Sequence, residues 1–89
     1  MFDKFKDMYA MREQAKEMQA ALSSEKVTGI SRDKVFQISI NGAFEVQEVI
    51  VQEGAELHKS IVERGIKEAF VDASQKLKGI LMQKFKNMA

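Results

Sequence analysis

Met8, Met11, Ala15, Met18 and Leu22 recur at spacings of three and four residues, with Arg12, Glu13, Lys16 and Glu17 between them. This two-heptad apolar seam on a polar background predicts a helix over residues 2–23. Asp3 near its start suits the helix dipole, and Ser23-Ser24 reads as its stop. The period then changes. From Lys34 to Asn41, Phe36, Ile38 and Ile40 alternate with Gln37 and Ser39, the signature of a half-buried strand. Asn41-Gly42 follows, the strongest short signal for a type I′ hairpin, in which both central residues need positive φ. The returning strand is expected over 43–51. Its apolar set starts at Phe44 and Val46 and slips phase to Val49 and Val51, which places a β-bulge near Gln47-Glu48. A shorter strand is read over 25–30, with Ser31-Arg32-Asp33 as the turn into its neighbour.

Gln52-Glu53-Gly54 interrupts the strand pattern, and residues 55–87 read as a long helix with Glu56 in its first turn. Leu57, Ile61, Val62, Ile66, Ala69, Phe70, Ala73, Leu77, Ile80 and Leu81 keep a helical stripe. Gly65 and Gly79 within it each cost about 1 kcal/mol relative to Ala and mark close packing or a local bend. Such a helix would be about 50 Å long, whereas the hairpin strands reach about 30 Å. One small sheet cannot cover the whole stripe, so the excess packs on the first helix, on a partner subunit, or on both. A homodimer is expected, with Ile66, Phe70, Ala73, Leu77, Ile80 and Leu81 as candidate interface residues. The alternative is a helix broken near Ser74 to Gly79 that folds back on its own chain.

With 89 residues the chain has room for one domain, spanning 1–89, with a thin core that makes self-association plausible. The absence of Cys excludes disulfides, thiolate metal sites and Cys nucleophiles. No apolar run approaches the roughly 18 residues that span a bilayer. The charged, amphipathic start does not read as a signal peptide, so a cytosolic protein is the simple expectation. Net charge is only +1, which taken alone argues against a dedicated nucleic-acid binder. Its distribution changes the picture: residues 73–89 carry Lys76, Lys78, Lys84 and Lys86 and no acid, while residues 24–72 are net acidic.

The ordered set of signals resembles the YbaB/EbfC family of nucleoid-associated DNA-binding proteins. The matching segments are Met11-Arg12-Glu13-Gln14-Ala15-Lys16-Glu17-Met18-Gln19, Val27-Thr28-Gly29, Val35 to Gly42, Glu45 to Val51, and Ala69-Phe70-Val71-Asp72-Ala73. The resemblance covers nearly the whole chain. It implies the α+β class: an α-β-β-β-α protomer with a three-stranded antiparallel sheet flanked by two long helices, assembled as a tweezer-like homodimer. It also implies nucleoid organisation or gene regulation on double-stranded DNA, at a cytoplasmic, nucleoid-associated location. The chain departs from the family pattern at Ser31-Arg32-Asp33-Lys34, where a Gly-rich turn is usual. It departs again at Gln52-Glu53-Gly54, where the long helix usually starts with Asp-Pro-Ser.

Lys76, Lys78, Lys84 and Lys86 become the first candidates for DNA contact, as point charges on phosphate. The competing explanation is that cations at a helix C-terminus satisfy its dipole and keep that end soluble. Lys4, Lys6, Arg12 and Lys16 on the first helix are second candidates, each with an acid nearby. His58, the only histidine, reads as a solvated residue at a helix start. Glu45 and Glu48 point to opposite faces of an alternating strand unless the bulge intervenes, so an acid/base pair there is not expected. Met8, Met11 and Met18 read as a helix–helix seam more simply than as a promiscuous surface. No enzyme, cofactor, metal site, membrane or small-molecule substrate is expected. The rival to DNA binding is a protein-interaction or assembly module with the same dimeric fold.

Overall fold

The computed structural model describes the backbone of residues 2–88 and the side chains of 7–84 and 86. Five elements follow one another: α1 (Phe2–Ser24), β1 (Lys26–Ile30), β2 (Phe36–Asn41), β3 (Val46–Val51) and α2 (Lys59–Met88). The strands form one antiparallel sheet in the order β1-β2-β3. The expected α-β-β-β-α order and three-stranded sheet are therefore present.

The sheet's α2 side is set by register. Val27 lies opposite Ile40 and Gly29 opposite Ile38, which puts the apolar residues of β1 and β2 on one face. Phe36, Ile38 and Ile40 bury themselves there against Ala69, Ala73 and Leu77 of α2. The sheet-facing residues Gly65, Ala69, Ala73 and Leu77 follow at intervals of four, so small side chains let the helix backbone approach closely. At Gly29 a Cβ would overlap the Ala69 carbonyl oxygen and the Ala73 amide nitrogen, and at Gly65 it would overlap the Phe36 ring. Gly79 has no such neighbour.

The bulge is where the phase slip places it. Ser39 faces Glu48 but Ile40 faces Val46, so Gln47 is the extra residue. Val46, Val49 and Val51 consequently share the α2 side with Ile40, Ile38 and Phe36.

Three local expectations are corrected. The β2–β3 connection is not a two-residue type I′ turn. Asn41 and Glu45 close a three-residue loop, Phe44 N–H donates to the Asn41 carbonyl at 3.0 Å, and Phe44, not Gly42, has positive φ (61°). Gly42 serves another purpose: its N–H donates to the Leu22 carbonyl at 2.7 Å, where any Cβ would collide with the end of α1. The long helix starts at Lys59, not residue 55, so Glu56 lies outside its first turn. The His58 carbonyl accepts the first helical bond, from Val62 N–H at 2.9 Å. Nor does the Met8–Met11–Ala15–Met18 seam form a continuous helix–helix contact within the protomer, since every side chain from Asp7 to Ala21 is exposed.

The departure from a Gly-rich first turn also has a physical account. Asp33 Oδ1 accepts from the buried Ser31 hydroxyl at 2.6 Å and from Val35 N–H at 3.0 Å, while Ser31 Oγ accepts from Phe36 N–H at 3.0 Å. These bonds, the Ser31 one foremost, hold the Asp33 carboxyl below the usual aspartate pKa. They also hold Lys34 at φ 63°, a position usually left to glycine.

Candidate nucleic-acid interface

The helix α2 is 30 residues long, about 45 Å, and only its first two-thirds crosses the sheet. Its C-terminal part continues beside α1. There Met11, Ala15, Met18 and Leu22 of α1 face Leu81 of α2 across an apolar groove of about 660 Å³. The helix is continuous through Ser74 to Gly79, so the fold-back alternative is not realised.

The four C-terminal lysines separate into two pairs. Lys76 Nζ donates to the Thr28 carbonyl at 3.1 Å and lies 2.9 Å from Asp72 Oδ2. Lys84 pairs with Glu25 at the α1–β1 junction. Both therefore fasten α2 to the rest of the protomer. Lys78 and Lys86 are exposed, and among the described residues neither has a carboxylate partner. Arg12 and Lys16 are exposed on α1; the side chains of Lys4 and Lys6 lie outside the described residues.

The apolar candidates also divide. Ala73 and Leu77 are fully buried within the protomer, so they have no surface left for a partner. Phe70, Ile80 and Leu81 are half-buried against the same core, and Ile66 is 43% exposed. His58 is exposed just ahead of α2, with Nε2 3.4 Å from Glu56 Oε2. Among the described residues no group of three or more His, Asp or Glu side chains is placed to hold a metal ion. No helix among them is long and apolar enough to cross a membrane.

A second set of cations lies at the other end of α2. Arg32 and Lys34 of the β1–β2 turn and Lys67 of α2 line a cleft of about 540 Å³ with Glu68, Val71, Asp72 and Gln75. Its acids face inward. Asp72 Oδ2 accepts from Ile30 N–H at 3.0 Å, and that bond, with Lys76 second, keeps the Asp72 carboxyl below its usual pKa. Glu68 Oε1 accepts from Arg32 N–H at 3.3 Å, with the Arg32 guanidinium 3.8 Å from Oε2. Sequence segments hid this grouping, because Arg32 and Lys34 sit in a net acidic stretch and meet Lys67 only in the fold.

Two long helices on a three-stranded antiparallel sheet, one helix basic towards its exposed end, define a small α+β binding protein. The family model of the YbaB/EbfC DNA-binding family matches residues 1–89, and the chain belongs to that family. Among solved structures it is similar to the uncharacterized protein HP0035 from Helicobacter pylori. The TM-score is 0.68 at 15% identity, covering 92% of this chain and 98% of the other. That likeness establishes the fold. No curated protein matches the chain.

Proposed function

We propose that the protein is a homodimer that binds duplex DNA with little sequence specificity and contributes to nucleoid organisation or gene regulation in the cytoplasm. The observation that carries this reading is the match to a DNA-binding family over residues 1–89. Lys78 and Lys86, exposed and without a carboxylate partner among the described residues, supply point charges for phosphate, which gives affinity without base readout.

The dimer is supported by an uncovered surface. β3 is an edge strand, and α2 packs chiefly on β1 and β2. Val46, Val49 and Val51 therefore stay 52, 51 and 42% exposed although their partners across the register are buried. By helical phase Ile66 also faces the sheet side, beside that gap. A contiguous apolar strip on an unpaired strand edge is costly to leave in water, and a second copy covers it.

A mobility-shift titration at low and moderate salt, run with light scattering of the same sample, tests both parts. Dimer mass and a shift that weakens steeply with salt are expected. No shift at micromolar dimer in low salt sinks the DNA reading. In that case the apolar α1–α2 groove favours the second reading, a protein-assembly module.

A further inference from the structure

We propose that the DNA-contacting surface is a row of separated cations along the outer face of α2, ending on the β1–β2 turn. Arg32, Lys34, Arg64 and Lys67 belong to it as much as the C-terminal lysines do. The inference rests on the DNA-binding reading and specifies which side of the protomer performs it.

Three observations converge. The first is helical phase. At 3.6 residues per turn, Arg64, Lys67, Lys78 and Lys86 fall within an arc of about 100°, opposite the Ala69–Ala73–Leu77 face that meets the sheet. They span about 33 Å of helix, roughly one turn of duplex. The only acid in that arc is Glu68. The second is the fold of the β1–β2 turn, which brings Arg32 and Lys34 to the Lys67 end of the track. The Arg32 side chain is 92% exposed, and Lys34 is exposed at the positive-φ position of the turn. The third is the disposition of the neighbouring acids. Asp33, Glu68 and Asp72 each accept a backbone N–H, and although Glu68 also lies 3.8 Å from the Arg32 guanidinium, that side chain stays 92% exposed. By contrast Lys76 and Lys84, on the sheet-facing side of α2, are spent on Asp72, Thr28 and Glu25.

By helical phase the track faces away from the sheet, whereas the open β3 residues lie on the sheet face that α2 packs against, so a dimer built through β3 leaves the track free. An array of separated cations along an exposed helix suits a regularly spaced line of phosphates, and a duplex backbone is such a line.

Three purified variants test the proposal against wild type: R32Q/K34Q/R64Q/K67Q, K78Q/K86Q and K76Q/K84Q. Circular dichroism and light scattering check fold and mass, and affinity for a random duplex is followed from 50 to 200 mM salt. Each phosphate contact contributes about 0.9 to the slope of log affinity against log salt. The first variant is expected to lose about 3.6 from that slope and the second about 1.8, whereas K76Q/K84Q keeps the wild-type slope. The proposal is overturned if the first variant keeps the wild-type slope within one unit. It is equally overturned if K76Q/K84Q alone reduces it. If wild type itself does not bind duplex, the DNA-binding reading fails first, a different result from selective survival of the first variant.

Discussion

Asp72 fastens α2 to β1, accepting from the β1 backbone at Ile30 and pairing with Lys76, which in turn bonds Thr28 of the same strand. Its carboxyl titrates below the ordinary aspartate value because these donors favour the charged form. Asp33 behaves alike through Ser31 and Val35. A carboxyl with a depressed folded-state pKa binds protons less readily folded than unfolded. Its contribution to stability is full above the unfolded value and is lost as pH falls through the folded one. The urea midpoint is therefore expected to fall as pH drops below the ordinary aspartate value of 3.8, and Asp72→Asn should flatten part of that dependence. An unchanged acid limb in the variant would show that these bonds do not couple to folding. Gly29 makes a second prediction of this size. Any side chain there meets the α2 backbone, which has no rotamer to yield, so Gly29→Ala should cost about 2 kcal/mol or more in denaturant unfolding.

Each element is held by a different amount of packing. β2 is central in the sheet and buried along nearly its whole length, whereas α1 touches the rest of the protomer mainly at its C-terminal end, around Leu22 and Gly42. Amide hydrogen exchange should accordingly be slowest in β2 and fast from Asp7 to Gln19 of α1 in the absence of DNA. Slow exchange throughout α1 would mean that a partner covers its methionine seam. In α2 the apolar stripe has two separate roles, which substitution resolves. Leu77→Asp places a charge in the core and is expected to unfold the protomer. Ile66→Asp should keep its helical circular dichroism and lose dimer mass in light scattering. Leu77→Ala should cost about 2–5 kcal/mol through the cavity it leaves.

The whole protomer is a rod of 64 × 22 × 18 Å with a radius of gyration of 18.1 Å. A compact chain of this length would have about 12 Å. The excess comes from α1 and the distal part of α2, which extend past a sheet too small to cover them. That shape gives a near-neutral protein a long surface on which a few cations can act together, and net charge of +1 does not describe it. Electrostatic binding depends on local alignment of charge within a screening length of about 8–10 Å, not on the total. Within α2, Arg64 and Lys67 lie about 4.5 Å apart along the axis and act together, whereas Lys78 and Lys86, about 16 and 28 Å beyond Lys67, act as separate phosphate contacts.

Local periodicity sufficed for both helices, all three strands and the Gln47 bulge, because each is written in the spacing of neighbouring residues and needs no distant partner. The ordered segments also sufficed for the family. Three features lay outside its reach. Gly42 was read for its backbone freedom, whereas its role is to admit the Leu22 carbonyl, a contact 20 residues away in the chain. Lys76 and Lys84 read as free cations until the fold brought Thr28 and Glu25 to them. Arg32 and Lys34 joined Arg64 and Lys67 only when the first turn closed over α2. Secondary structure follows from side-chain period along the chain, which is local. Which charges are spent and which stay available depends on separations through space between residues some 30 to 60 positions apart, and folding alone sets those.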